Sequence, residues 1–263
     1  MRTMTTILAL MAVAALAAPA AGDWDPGGPC KMHFPQLPDP EGWDVNFVEP
    51  KVLADDWRCT ETGPVSDIHF WMSSRYDEPF DIVNIHASIH TDDLSNPAFS
   101  QPGDLLWEYD FDPSLFTVRD WHEQGPQGWL NPNDGTVEPL NHFLIFQVNI
   151  PRIPDPFIQL EGEIYWLDLS VFAVGPDGIL PAEVGWKTSI EQYRDDAVWS
   201  DFLDPGDPDG ANGGTVDGWQ PLIDPFTGES LDLAFVITPE PATLALLGLG
   251  GALVMLRRRQ SKG

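Results

Sequence analysis

Twenty-six prolines and 23 glycines are spread along this 263-residue chain, and they cut it into runs too short for ordinary helices. What lies between the breaks alternates. In residues 82–90, Val83, Ile85, Ala87 and Ile89 point one way, while Asn84, His86, Ser88 and His90 point the other. Leu105, Trp107, Tyr109 and Phe111 share a face in 105–111; Leu144, Phe146, Val148 and Ile150 share one in 143–150. Leu231, Leu233, Phe235 and Ile237 repeat the pattern near the end. A period of two is the mark of half-buried strands. In 163–174 the odd positions are wholly apolar and the even ones mixed, which predicts a central strand covered on both faces. Less regular runs at 52–57, 68–73, 116–121 and 184–188 add further strands. Turn signals such as Asp177-Gly178 and Asn133-Asp134-Gly135 separate them. The expected fold class is all-β: an antiparallel β-sandwich, jelly-roll-like, with an N-terminal signal helix and a short C-terminal apolar helix.

Both ends are addresses rather than fold. Arg2, an apolar stretch from 7 to 18 and the site Ala18-Pro19-Ala20 read as a secretory signal peptide over 1–22, a substrate of signal peptidase. At the other end stand Pro239-Glu240-Pro241, an apolar run over 242–256, and Arg257-Arg258-Arg259. As a helix that run is about 22 Å long at ~1.5 Å per residue, short of the roughly 20 residues a stable span needs. The tripeptide, the apolar run and the basic stop, in that order, resemble the PEP-CTERM sorting signal of diderm bacteria. The resemblance implies cleavage near Pro239, Glu240 and Pro241 by an exosortase, transient anchoring in the inner membrane, and delivery to the cell surface or extracellular matrix. The remainder divides into a Pro-rich arm, 23–47, and a β-sandwich domain, 48–238, followed by the sorting signal at 239–263.

The formal net charge is −28, and the arginines at both ends make the body more acidic still. Nucleic-acid binding is excluded, because neutralising phosphates takes Lys and Arg. Aromatic residues make up 11% of the chain, too many for an acidic disordered segment. Segments of the body also resemble an uncharacterised family of secreted bacterial β-domains. They are Asp55-Asp56-Trp57-Arg58-Cys59 with Ile68-His69-Phe70-Trp71, then Gly185-Trp186-Lys187-Thr188-Ser189, Asp195-Asp196-Ala197-Val198-Trp199, and the run from Leu231 to Ile237. That resemblance implies an extracellular location and a β fold and no activity.

Candidate sites are few. Cys30 and Cys59, an even count in an exported chain, suggest a disulfide; closing a loop of about 30 residues would stabilise by roughly 3–4 kcal/mol. Two free buried thiols are the alternative. Asp204, Asp207 and Asp209 crowd one Pro/Gly-rich loop and offer hard oxygens to calcium, although the spacing is not that of an EF-hand. Solvated turn residues are the simpler explanation. His86 and His90 share a strand face and His69 lies on another strand. Two residues four apart on a strand are about 13 Å apart, too far for one zinc ion. Trp43, Trp121, Trp129 and Trp219 fall in or beside expected loops and are candidates for stacking on polysaccharide, against interior packing as the simpler use. Nucleophile elbows, zinc-protease helices and phosphate loops are missing; Glu161 and Glu163 lack the wider pattern of sandwich glucanases. The chain reads as a non-enzymatic exported protein, structural or adhesive, with a glycoside-active enzyme as the alternative.

Overall fold

The structure, a computed structural model, describes residues 22–178, 181–201 and 218–239. The signal peptide, the C-terminal apolar helix and the Asp204–Asp207–Asp209 loop lie outside the described residues. Within them the chain is all-β. The strands are β1 (Trp43–Asn46), β2 (Val52–Arg58), β3 (Gly63–Pro64), β4 (Asp67–Ser74), β5 (Asp81–Asp93), β6 (Gln101–Phe111), β7 (Thr117–Asp120) and β8 (Gln127–Asn131). Then come β9 (Thr136–His142), β10 (Phe146–Ile150), β11 (Ile158–Gln159), β12 (Ile164–Val174), β13 (Val184–Lys187), β14 (Val198–Ser200), β15 (Gln220–Pro221) and β16 (Phe235–Thr238). A 3-10 turn, Arg75–Asp77, follows β4.

The smaller main sheet runs β15-β14-β2-β12-β5-β6 and is antiparallel throughout. The larger runs β7-β10-β4-β13-β1-β8-β9, with β16 also on β4. One edge of β4 is shared end to end, by β16 along Asp67–Phe70 and by β13 along Met72–Ser74. The larger sheet is mixed, because β1 and β8 are parallel. That corrects the expectation of purely antiparallel pairing. A parallel pair needs a long crossover, and no local pattern announces its return.

Apolar side chains from both sheets meet in one core. Trp57 of β2 lies 6.3 Å, ring to ring, from Phe235 of β16, and Phe47, Phe70 and Trp186 continue the aromatic chain. Each such buried side chain is worth ~1.5–3 kcal/mol. As expected, Tyr165, Leu167, Leu169, Val171 and Ala173 of β12 all face this core. Two bulges change the expected facing elsewhere. A register shift at Phe172/Ala173 turns Ile82 inward and leaves Val83 exposed. Another beyond Ile89 puts Leu105 out in solvent. One extra residue reverses every side chain beyond it.

The 23–47 arm is not separate from the domain. Its end forms β1, an interior strand. Before that, the Lys31 and Gln36 N–H groups donate to Ile237 and Phe235, and Thr60 N–H donates to the Lys31 carbonyl. The arm thus bridges β16 and the end of β2. Cys30 and Cys59, the expected disulfide, are both free thiols. Each bonds a nearby carbonyl, of Met32 and Glu61 respectively, and the backbone pairing of Met32 with Cys59 supplies the staple instead.

Candidate functional site

The four Trp residues read as sugar platforms are interior: Trp43 is 7% exposed, Trp121 3%, Trp129 0% and Trp219 6%. Trp121 and Trp219 do lie in loops, but their rings, like those of Trp43 and Trp129, are packed against the body. Trp43 and Trp129 stand on β1 and β8, which pair side by side. A Cβ on Gly128 would lie within the Trp43 ring's contact distance, so the missing side chain makes room for the indole. Trp121 packs edge-on against Trp71 at 5.1 Å. Trp219 covers Trp166, Val52, Ala54 and Val198 on the outer face of the smaller sheet. The aromatics that do reach solvent include Tyr76, Phe143 and Phe226. Sequence offered no way to choose them, since nothing local distinguishes them from core residues.

The histidines are not brought together. His69 lies in the larger sheet, hydrogen-bonded to Asn149 and Thr238, and burial lowers it to about 4, so it is neutral. His86 and His90 share β5 but meet different carboxylates, Asp110 and Asp168. Among the described residues no group of three or more His, Cys, Asp or Glu is placed to hold a metal ion.

Three buried polar constellations carry the chemistry-bearing side chains. In the first, the β5–β12 register sets Ser88 directly opposite Asp168. Ser88 Oγ donates to Asp168 Oδ1 at 2.5 Å, and His90 Nε2 stands 2.8 Å from Asp168 Oδ2. His90 Nδ1 faces the Gly103 carbonyl at 3.1 Å. Nδ1 thus meets an acceptor, and Nε2 meets Asp168 Oδ2 together with Ser88 Oγ at 2.9 Å. Burial alone would lower the imidazolium, but the hydrogen bond and charge of Asp168 outweigh it and leave His90 raised. With its proton given to Asp168 Oδ1, the Ser88 hydroxyl meets the ring as an acceptor rather than as a proton donor to it. The trio has the residue types of a hydrolase and the wiring of an ion pair.

The second constellation lies where the larger sheet curls on itself. Ser73 of β4 bonds Gln127 of β8 at 3.0 Å, and Arg75 just past β4 pairs with Glu138 of β9. Inside the curl, Asp44 Oδ2 accepts from Lys187 Nζ at 3.0 Å and from His142 Nε2 at 2.8 Å, all three residues buried. Burial lowers Lys187, and the Asp44 charge opposes that.

The third gathers Asp55, Asp56 and Asp232, each fully buried. Asp55 Oδ2 accepts from Gln36 Nε2 at 2.8 Å and Leu233 N–H at 2.6 Å. Asp56 Oδ2 accepts from Arg194 at 2.5 Å, and Arg194 reaches on to Asp92. Asp56 Oδ1 and Asp232 Oδ1 are buried with no hydrogen-bond partner among the described residues. Burial pushes Asp56 up to about 8 against the pull of Arg194, and pushes Asp232 up to about 7.

Beside the first constellation a polar cleft of about 640 Å³ opens to solvent at the β5–β6 bulges. His90 and Asp92 line its inner side, Asp93, Gln101 and Asp104 its rim, and Trp219 closes one end. Its described lining is rich in acceptors already engaged with neighbours: Thr91 Oγ1 accepts from Asp104 N–H, and Asp93 accepts from Ser95 and Gln101. Such a lining suits a polyhydroxylated ligand that donates hydrogen bonds.

The model of one protein family matches residues 32–238, which takes in the arm and both main sheets. The chain belongs to that family, Domain of unknown function (DUF7901). The DUF7901 match starts inside the arm, in keeping with the arm's bonds to β16 and β2. A PEP-CTERM protein-sorting motif occupies residues 238–259, directly after the DUF7901 domain. The motif marks an exported protein that transits the membrane and is sorted by an exosortase. Among the described residues no helix is long and apolar enough to cross a membrane. No curated protein and no solved structure matches this DUF7901 chain.

Proposed function

We propose that this DUF7901 protein is a non-catalytic β-sandwich, jelly-roll-like in build, that serves at the cell surface or in the extracellular matrix as a structural or adhesive component. Signal peptidase removes its leader, the exosortase removes its tail, and the folded body makes weak contact with polysaccharide. One observation carries the reading: among the described residues the buried Ser88, His90 and carboxyl groups are bonded to one another, while the lining of the cleft at His90 offers chiefly hydrogen-bond acceptors. The contact is made by hydroxyl groups of the glycan donating to Asp93, Asp104 and Gln101, rather than by stacking on tryptophan.

Binding of the full chain to a panel of neutral and acidic polysaccharides tests this. Weak binding that drops in Asp104→Asn and Gln101→Ala is expected. No binding anywhere on the panel removes the glycan contact and leaves a purely structural role. Polysaccharide turnover that vanishes in Glu163→Gln would instead make the protein an enzyme.

A further inference from the structure

Beside β7 the two main sheets part and leave a groove of about 780 Å³. Its floor is apolar: Phe80 and Phe146 meet edge to face at 5.3 Å, with Ile82 and Phe116 beside them. Val118 and Leu144 line one wall and stay 40% and 44% exposed. Alongside it Tyr76 and Phe143 are 53% exposed and Leu140 67%. So much large apolar surface in one corner of an acidic exported domain marks a place where something binds.

The corner is held in position at an energetic cost. Tyr76, Asp77 and Leu140 all occupy the left-handed region, with φ of 61°, 54° and 56°. Bulky residues stay there only where their surroundings over-determine them. Arg75 grips Glu138 and Glu183 at once, and the Asp77 carboxylate accepts the N–H groups of Phe143 at 3.0 Å and Leu144 at 2.8 Å. The exposed side chains are therefore presented in fixed places, which lowers the ordering cost of binding.

Charge and backbone identify the occupant. Asp77, Glu78, Asp81 and Asp120 surround the groove. The cation among its lining residues, Arg119, is already matched by Asp25 and the Trp24 carbonyl, each at 2.7 Å. The rim thus attracts Lys and Arg, and it repels a second copy of a chain carrying −28. β7 itself is the outermost strand of the larger sheet: one edge pairs with β10, and among the described residues the other has no strand beside it. A free strand edge next to an apolar groove is the template for strand addition, with main-chain bonds giving affinity and alternate side chains giving selectivity.

We propose that this groove docks an extended segment of a basic partner protein. The segment adds as a strand to β7, lays aliphatic side chains over Phe116 and Val118, and sets Lys or Arg against the rim carboxylates. The cleft at His90 shares no residue with the groove, so this interaction stands or falls apart from the glycan reading.

The test uses the full chain and a short fluorescent peptide of alternating Val and Lys, followed by anisotropy. Two comparison peptides have the same composition in blocks, or Glu in place of Lys. The alternating basic peptide binds best, and raising the salt weakens it. Val118→Asp and Asp120→Lys each reduce its affinity about tenfold or more, while Asp104→Asn in the separate cleft leaves it unchanged. Asp120 is exposed, so its reversal does not endanger folding. Equal binding of the block or Glu peptide, or undiminished binding in Asp120→Lys, overturns the proposal. A sedimenting dimer abolished by Val118→Asp gives the groove to a second copy and overturns it as well.

Discussion

Asp55, Asp56 and Asp232 hold three carboxyl groups together out of water, where fewer than three negative charges are tolerable. Burial is the main cause of their raised proton affinity; on Asp55 the charges of Asp232 and Asp56 add to it. Arg194 opposes the shift on Asp56, and Asp92, Asp195 and Asp196 press the other way on their neighbours. In the unfolded chain each carboxyl titrates from 3.8, whereas the fold keeps Asp232 protonated to about 7 and Asp56 to about 8. The folded state therefore binds more protons across that window, and its stability falls as pH rises from about 4 through 8. Thermal melts across this range should show a declining midpoint, and Asp232→Asn should flatten the slope. A midpoint that is level or climbs toward pH 8 contradicts the assignment. Lys187 poses the converse case. Lys187→Met leaves the Asp44 carboxylate buried with only His142 beside it, and removing one partner of a buried pair costs about 3–5 kcal/mol. Urea unfolding with an unchanged slope should register that loss; a change below about 1 kcal/mol would show the pair to be energetically idle.

At the scale of elements, alternation identified the strands that are buried on one face. Two short strands covered on both faces went unread, although the longer β12 was legible from its wholly apolar odd positions. β1, Trp-Asp-Val-Asn, and β8, Gln-Gly-Trp-Leu-Asn, are buried along their whole length, so no period survives, and their Gly and Asn look like turns. Their glycines are spacers. The Gly128 position takes the Trp43 ring, and a Cβ on Gly185 of β13 would sit 2.7 Å from the Asp44 carbonyl carbon in β1. Gly185→Ala must push these neighbouring strands apart, at a cost of about 1–3 kcal/mol. Denaturation of that variant with wild-type stability would mean the strands are less closely held than the geometry requires. The disulfide expectation failed for a related reason. Counting cysteines cannot register that Met32 and Cys59 are already joined through the backbone. The Ser88–His90–Asp168 trio left only a faint trace, a polar pair at i and i+2 and one Asp in an apolar strand. Its meaning depended on register and on the Gly103 carbonyl.

For the whole molecule, address and body are separate physical problems. The PEP-CTERM motif is a local sequence signal, a tripeptide before an apolar run, so it is separate from what is folded ahead of it. Replacing Pro239, Glu240 and Pro241 with alanine should leave an intact-mass product in the membrane fraction, with the melting temperature of the body unchanged. Normal trimming of that variant would move the recognition elsewhere. The acidic body (formal charge −28 for the chain) suits an exported domain that stays dispersed until it meets a partner of opposite charge or a polyhydroxylated one.

Sequence by itself determined the destination and the strand class, because both rest on local order: a motif read residue by residue, and a period of two between frequent breakers. Only the tertiary structure decided which side chains are available. Whether a tryptophan is a platform or a core residue, whether a Ser–His–Asp set is a catalyst or an ion pair, and where two sheets leave an apolar gap depend on what packs against them from distant parts of the chain. Distance along the chain carries no trace of that packing.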